Sequence, residues 1–458
     1  MNLIIGIHGL GQGIHGTIYS ISDPNEMLKV VQSEGATPTG FVERLWPVKK
    51  AMKLSNGAMV DGDNYGLLDR GERWKKHRVF LQTGMLCPKA AKGFLPGIIS
   101  ASDIASKAAP SKAENFTKFL NTAAFDMFCT FMFGEMTKCS SATALTSENE
   151  GNIKFCEASI KAMELDADLL RSPYENLMNM LSINSAMFKD FHATYNIVSE
   201  IGRKKIDNFY ARYKKDELND NEKACYLANA IKRYETGHTD LSLDEIFELC
   251  VFGLWAAVDT TSSVAGWNIM QLALNPYVQE KLHNELQNAV AATGEDHLTS
   301  EVFKRKNTPY LHAVIRETYR YSGPLPTIMS KASQNCVEVH GTPLPKGSVV
   351  QLENIAADEK YFSDAKEYRP ERWSPDAVQS RKGTDSEVID HPIFRDPFGS
   401  GARRCPGSRV ATNEIRALVA QLVFDYKIST PYKSYEEVPT EARPFIQPKN
   451  PILHFTAR

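Results

Sequence analysis

Pro397-Phe398-Gly399-Ser400-Gly401-Ala402-Arg403-Arg404-Cys405-Pro406-Gly407 is a glycine-punctuated loop that ends in a cysteine and opens a helix. The glycines let the backbone turn tightly and come close to a flat ligand. Arg403 adds positive charge, and the helix that follows points its N-terminal dipole at the sulfur. Both favour a thiolate over a thiol. No CxxC spacing occurs in the chain, so a lone thiolate held this way suits one axial bond to a haem iron better than zinc or a disulfide.

The other seven cysteines, Cys87, Cys129, Cys139, Cys156, Cys225, Cys250 and Cys336, are scattered without metal-ligand spacing. Most of them read as small buried hydrophobes in a reducing compartment. Cys405 differs from them in its surroundings: Phe398, Gly399, Gly401, Arg403, Cys405 and Gly407 together match the haem-binding loop of the cytochrome P450 family, and the chain resembles that family over nearly its whole length. The resemblance implies a mainly α fold with a minor β portion, in which a helical domain surrounds a buried haem beside a small sheet. It also implies one catalytic domain over residues 1–458. The cofactor is then haem b with Cys405 as axial thiolate, with Phe398 and Arg403 among the residues that hold it.

At 458 residues the chain exceeds the usual single-domain size, and the resemblance overrides that prior. With 42% hydrophobic and 24% charged residues it reads as globular, and a formal net charge of -2 gives no sign of nucleic-acid binding. No apolar stretch is read as approaching the roughly 20 residues that cross a bilayer. Leu3 to Ile7 and Thr17 to Ile21, joined by Gly9 to Gly16, read as a β-hairpin already inside the family's fold. By the resemblance, a targeting or anchor segment and a first helix would precede it.

Helical punctuation dominates after the first hundred residues. Ser242 and Glu245 are spaced as a capping box, and the apolar series Ile246, Val251, Leu254, Val258, Ala265, Ile269 and Leu272 runs on to Asn275-Pro276. That is about 33 residues, or roughly 50 Å of helix. A helix apolar around most of its girth for that length crosses the middle of a large domain. Cys336 to His340, a turn at Gly341-Thr342, then Pro345-Lys346-Gly347 and Ser348 to Leu352 are expected to form short paired strands on a small sheet, and Ser140 to Gly151, Asp216 to Glu222 and Ser380 to Glu387 solvated loops.

Within the long helix, Ala256-Ala257-Val258-Asp259-Thr260-Thr261 resembles the family's oxygen-activating motif. A small residue at Ala257 lets the helix widen, and a threonine hydroxyl bonding back to the preceding turn stabilises the distortion. By the resemblance Thr260 hydrogen-bonds dioxygen and Asp259 relays protons from solvent. The family more often has glycine where Ala257 stands. Read without the family, Asp-Thr-Thr is equally a polar patch satisfied by its own backbone, although an aspartate with no evident partner in an apolar helix is costly.

Glu317 and Arg320 share a helix face. Tyr368-Arg369-Pro370-Glu371-Arg372-Trp373 resembles the partner motif, and the resemblance implies a buried network of Glu317, Arg320 and Arg372 that braces the cysteine loop. Trp74 and Arg78, four apart, match the family's W-x-x-x-R pair, in which an indole N–H and a guanidinium donate to a haem propionate. A basic amphipathic helix with Lys75 and Lys76 is the other reading. Lys331 stands where relatives offer an arginine as a third contact, and lysine makes that contact more weakly.

Further details resemble the mitochondrial branch of the family: Asp23-Pro24, Glu34-Gly35-Ala36-Thr37-Pro38, Gly71-Glu72-Arg73-Trp74, Val258 to Ser262, and Arg409. That branch receives electrons, originally from NAD(P)H, through a small acidic ferredoxin. The alternative partner is a flavoprotein reductase. Arg316 and Arg409 match two docking positions, and His312 replaces lysine at a third, which implies weaker docking or a different pH response. A solvated basic face is the other reading of these residues. The branch favours the matrix side of the inner mitochondrial membrane, otherwise the endoplasmic reticulum membrane, with peripheral membrane association.

The resulting expectation is a haem-thiolate monooxygenase acting on a lipophilic substrate, sterol, terpenoid or fatty-acid-like. The pocket is expected from the segment between Phe41 and Leu67, helices around Met163 to Phe188, the long helix near Leu254 to Val258, Pro324 to Met329 and a turn near Phe445. Two rivals share the cofactor. One is a haem-thiolate isomerase or dehydratase acting on hydroperoxides, a type that usually lacks the Asp-Thr pair; the other is a non-catalytic haem-binding protein.

Overall fold

The computed structural model describes residues 5–8, 17–38, 45–55, 65–147, 149–322, 329–332, 336–346, 348–353, 355–395, 397–443 and 445–458. Strands β1 (Ile5–His8) and β2 (Thr17–Ile21) lead into helices α1 (Pro24–Ser33) and α2 (Trp46–Leu54). Helices α3 (Gly71–Met85), α4 (Pro88–Ala108), α5 (Phe116–Phe133), α6 (Glu150–Arg171), α7 (Pro173–Met180) and α8 (Ala186–Lys214) follow. Next come α9 (Asp220–Ala224), α10 (Tyr226–Glu235), α11 (Leu243–Leu274), α12 (Pro276–Thr293) and α13 (Pro309–Ser322). The chain then forms strands β3 (Met329–Ala332), β4 (Val337–Val339), β5 (Thr342–Leu344) and β6 (Val349–Leu352). It closes with α14 (Pro375–Ser380), α15 (Pro392–Arg395) and α16 (Ser408–Asp425), then β7 (Tyr426–Ser429), β8 (Thr440–Ala442), β9 (Ile446–Pro448) and β10 (His454–Ala457).

The capping box of α11 forms as its sequence requires: the Ser242 hydroxyl accepts the Glu245 amide, and the Glu245 carboxylate accepts the Ser242 amide. The helix runs 32 residues and ends at Asn275 ahead of Pro276, which opens α12. Its first half, Ile246 to Val258, belongs to an apolar cluster built with α5, α6 and α8. Its second half, Val264 to Ala273, belongs to another built with α4, α12, α13 and α16. Asp259-Thr260-Thr261-Ser262-Ser263 lies where the helix passes from one cluster to the other.

By length and composition α11 is apolar enough to cross a membrane. This corrects the expectation that no such stretch exists. Most of α11 is buried in the protein, and the apolar girth serves two cores.

Helix α5 is buried along nearly its whole length and stops at Gly134, which takes the left-handed φ of 67°. A Cβ there would lie 2.5 Å from the Asn221 carbonyl oxygen. Both constraints select glycine.

The strands correct part of the sequence reading. The hairpin of β1 and β2 is antiparallel, with Ile5 opposite Ser20; Leu3, Ile4 and the Gly9 to Gly16 connection lie outside the described residues. The segment from Cys336 to His340 pairs with β5 and not with Ser348 to Leu352, because His340 and Gly341 both take positive φ and close a two-residue turn. Strand β6 instead runs parallel to β2 and antiparallel to β3, giving the order β1-β2-β6-β3. Part of the polar run Asp216 to Glu222 is helical, since Asn219 and Glu222 form a capping box that starts α9.

Candidate active site

The cysteine loop is held from within by its backbone. Gly399 and Gly401 take left-handed φ values of 74° and 71°, the Cys405 amide donates to the Phe398 carbonyl at 2.8 Å, and the Arg404 amide donates to Gly401 at 3.1 Å. The turn delivers Cys405 half-buried to the start of α16. A Cβ on Gly407 would sit 3.8 Å from the Cys405 sulfur, in ordinary contact.

From outside, Arg403 ties this loop to the chain before α3. It donates to the carbonyls of Pro38, Leu67 and Asp69, and its guanidinium lies 4.4 Å from the centre of the Trp74 ring. Burial lowers its pKa to about 10, where it is still charged at neutral pH. Phe398 packs edge-on against Tyr319 of α13, with ring centres 6.0 Å apart. The expected brace between the Glu317 helix and the cysteine loop thus takes the form of an aromatic contact.

Trp74 and Arg78 are both buried on one face of α3. With its amide oxygen turned to the guanidinium, Gln82 accepts from Arg78 at 2.9 and 3.2 Å. Among the described residues no carboxylate pairs with Arg78, and its pKa is lowered chiefly by burial, opposed by the negative charge of Cys405. A guanidinium 5% exposed and lacking a carboxylate is anomalous unless an anion meets it. The Trp74 N–H likewise donates to no described group. These donors, beside a half-buried cysteine, fit haem: an iron ligand on one side and donors without a carboxylate on the other. Lys331 lies on β3 opposite Val350, and its side chain falls outside the described residues.

The polar stretch of α11 departs from its sequence reading at one point. Asp259 is buried, yet it has a partner: Arg443, in the turn between β8 and β9, donates to its Oδ1 at 2.8 Å. Arg443 also meets Glu441 at 2.6 Å and Glu164 of α6 at 3.4 Å. Burial raises the Asp259 carboxyl, and Arg443 opposes that rise. Thr260, half-buried, donates to the Ala256 carbonyl at 2.9 Å, the bond to the preceding turn that its sequence position predicts. Next to it Thr261 donates at 3.2 Å to Glu414 of α16, which burial pushes up to about 8.

Glu317 is the hub of a buried network. Its Oε1 accepts from Arg320 at 2.6 and 3.1 Å, from the Arg369 amide at 3.0 Å and from Arg372 at 3.4 Å, and its Oε2 accepts from the Trp373 indole at 2.8 Å. Arg320 also donates to the carbonyls of Ala356, Ala365 and Glu367. Sequence reading found the charged members and missed Trp373, the next residue after Arg372.

Arg443, Glu441 and Glu164 were also missed, since nothing in local spacing links residues 184 positions apart. Glu414 left a readable signal: it is a charge on the inward face of a helix that also carries Leu418 and Leu422.

Arg316 and Arg409 sit on the contacting helices α13 and α16, with Arg409 exposed on the first turn of α16. His312 does not carry the pH response proposed for it. Burial, with Arg416, Arg305 and Arg316 nearby, pushes it down to about 3, so it is neutral through the physiological range. Its folded pKa lies below the ordinary 6.5, so the unfolded chain takes up the proton first and stability falls as pH drops below that value. Between pH 7 and pH 5 this amounts to roughly 2 kcal/mol. His312→Gln is expected to flatten that part of the pH dependence of the urea midpoint; an unchanged slope contradicts it.

Five of the remaining seven cysteines are buried as expected, whereas Cys87 is half-buried and Cys336 exposed. None is in a disulfide, and Cys129, Cys139, Cys156, Cys225 and Cys250 are buried. Burial pushes the thiols of Cys139 and Cys225 up to about 12, which keeps them protonated and unreactive.

A family model described as cytochrome P450 matches residues 42–455. Among curated proteins, the chain is 30% identical to the 2-hydroxyisoflavanone synthase of Glycine max over 50% of this chain and 44% of that protein. It is 31% identical to the probable cytochrome P450 12b2, mitochondrial, of Drosophila melanogaster over 54% and 44%. Cytochrome P450 3A13 of Mus musculus is 25% identical over 95% of this chain and 82% of that protein. The matched segments thus span less than half the length of the first two relatives.

Proposed function

Because this chain belongs to the cytochrome P450 family, whose members hold haem b through a cysteine thiolate and take electrons from NAD(P)H through a redox partner, we propose that it is a monooxygenase. One oxygen atom of dioxygen enters a lipophilic substrate, sterol, terpenoid or fatty-acid-like, and the other leaves as water. In this reading residues 1–458 act as one catalytic domain.

When bound, the haem supplies dioxygen activation, helped by electron donation from the thiolate. The chain's residues hold it and handle protons. Cys405 would hold the haem iron through its thiolate, set by the loop that Phe398 and Arg403 fix. Trp74, Arg78 and Lys331 are the residues that would hold its propionates. Thr260 sits on the helix where oxygen is activated, and Asp259, held by Arg443, admits protons from solvent. Arg316 and Arg409 form the docking face for a ferredoxin-type partner or a flavoprotein reductase. Support for the mitochondrial branch comes from the Drosophila relative, whose name carries that word.

The observation that carries this reading is the buried face of α3, where Arg78 and the Trp74 N–H lack any carboxylate among the described residues beside Cys405. The reduced protein with carbon monoxide is expected to show the long-wavelength band of a thiolate-ligated haem. Cys405→Ala is expected to abolish it. A wild-type protein without the band sinks the proposal. Single turnover with a reductant, isotopically labelled dioxygen and a panel of lipophilic compounds then separates monooxygenation from the rival chemistries: label in the product supports it, and product formed without reductant points to an isomerase.

A further inference from the structure

Asp166 lies on the buried face of α6 with Ser159, Ala162 and Leu169, and is 6% exposed. Its buried Oδ1 bonds to no group among the described residues, and the Ser159 hydroxyl on the same face also lacks a partner. Every other influence on Asp166 is minor beside burial, which pushes it up to about 7; no cation counters it.

The position of α6 brings it against α11. The Trp255 indole, one turn before Asp259 on α11, donates to the Ser159 carbonyl at 3.2 Å. In the turn of α6 that holds Asp166, Glu164 meets Arg443, the residue that holds Asp259. The α6 face therefore runs alongside the oxygen-activating stretch of α11.

A buried carboxylate normally has a cation, a metal or several donors, and the described residues supply Asp166 with none of these. A substrate hydroxyl would satisfy one lone pair and leave the charge uncompensated, whereas an ammonium supplies both charge and contact. We propose that Asp166 is a specificity-determining residue that takes the cationic end of an otherwise apolar substrate, an amine-bearing body of the lipophilic class. This rests on the monooxygenase reading and narrows it: a free fatty acid would bring a second carboxylate to the same place and is disfavoured.

The test uses the holoprotein and three ten-carbon probes, decyltrimethylammonium, decan-1-ol and decanoate, titrated by calorimetry. The quaternary nitrogen cannot ligate iron, so the heat reports the anchor alone. The wild type is expected to bind the cation at least about tenfold more tightly than the alcohol, and decanoate most weakly. Asp166→Asn is expected to remove that preference and leave the alcohol unchanged, with a melting temperature equal to or above that of the wild type because a stranded charge is gone. Equal binding of cation and alcohol by the wild type overturns the proposal. So does an Asp166→Asn protein that keeps the preference, or one that melts lower without losing it. The carbon monoxide band is a separate signal, so loss of the monooxygenase reading and loss of this one are distinguishable.

Discussion

Glu317→Ala is expected to give protein that keeps little haem and unfolds at much lower urea, without changing which product the residual active fraction makes. Glu317 is completely buried, and Arg320 and Arg372 beside it are 7% and 8% exposed. Removing the carboxylate leaves two guanidinium groups inside the protein with only backbone carbonyls as acceptors. Breaking a buried pair in this way costs about 3–5 kcal/mol, a large fraction of the roughly 5–15 kcal/mol that holds a typical domain together. The damage reaches the haem loop through Tyr319, two residues along α13, whose ring meets Phe398. Glu317→Gln keeps an acceptor for Trp373 and is expected to fall between. Haem-to-protein ratio and urea midpoint check this; an Ala variant with full haem and a wild-type midpoint contradicts it.

Asp259→Asn is expected to lower kcat by about 10²-fold with haem content and fold intact, the scale of a lost proton-transfer group. Survival of the fold follows from the geometry: Arg443 still has Glu441 and Glu164, so no cation is stranded. The reciprocal change behaves differently. Arg443→Met leaves Asp259 buried without its cation, and its carboxyl then rises further above the ordinary 3.8. A folded-state pKa above the unfolded value makes stability greatest at low pH and erodes it as pH rises from about 4 toward the folded value. The urea midpoint of Arg443→Met, relative to wild type, is therefore expected to fall between pH 4 and pH 7. Equal pH profiles for the two proteins would falsify the role given to Arg443, and an Asp259→Asn enzyme with unchanged kcat would remove Asp259 from the proton path.

These two sites also show what could be read from sequence. The Glu317 network was legible because its charged members fall in two short motifs with fixed spacing, and the long helix because its capping box and apolar girth are local properties. Cys405 stood out because glycines at 399 and 401 and a helix start announce a particular backbone shape. The Asp259 partner was not legible. Arg443 comes from a turn near the end of the chain, and such a contact depends on how a hairpin lies over α11, which no local pattern encodes. Strand partnership failed for a related reason: His340-Gly341 is a turn signal that favours the nearer strand, and the longer-range pairing of β6 with β2 had no local mark. His312 was misjudged because its charge state depends on burial and on Arg416, over a hundred residues away.

The path of α11 through two apolar clusters has one more consequence. Ile246 to Val258 anchor one end, Val264 to Ala273 the other, and the polar residues between them lie at the crossing. The helix works as an axle shared by two hubs. Local opening events that would release one hub must also free half of a helix whose other half is clamped, which makes the two regions melt as one cooperative unit. A chain cut within Asp259 to Ser263 would leave nearly all of the first core on one fragment and divide the second, with α4 and α5 on one piece and α12, α13 and α16 on the other.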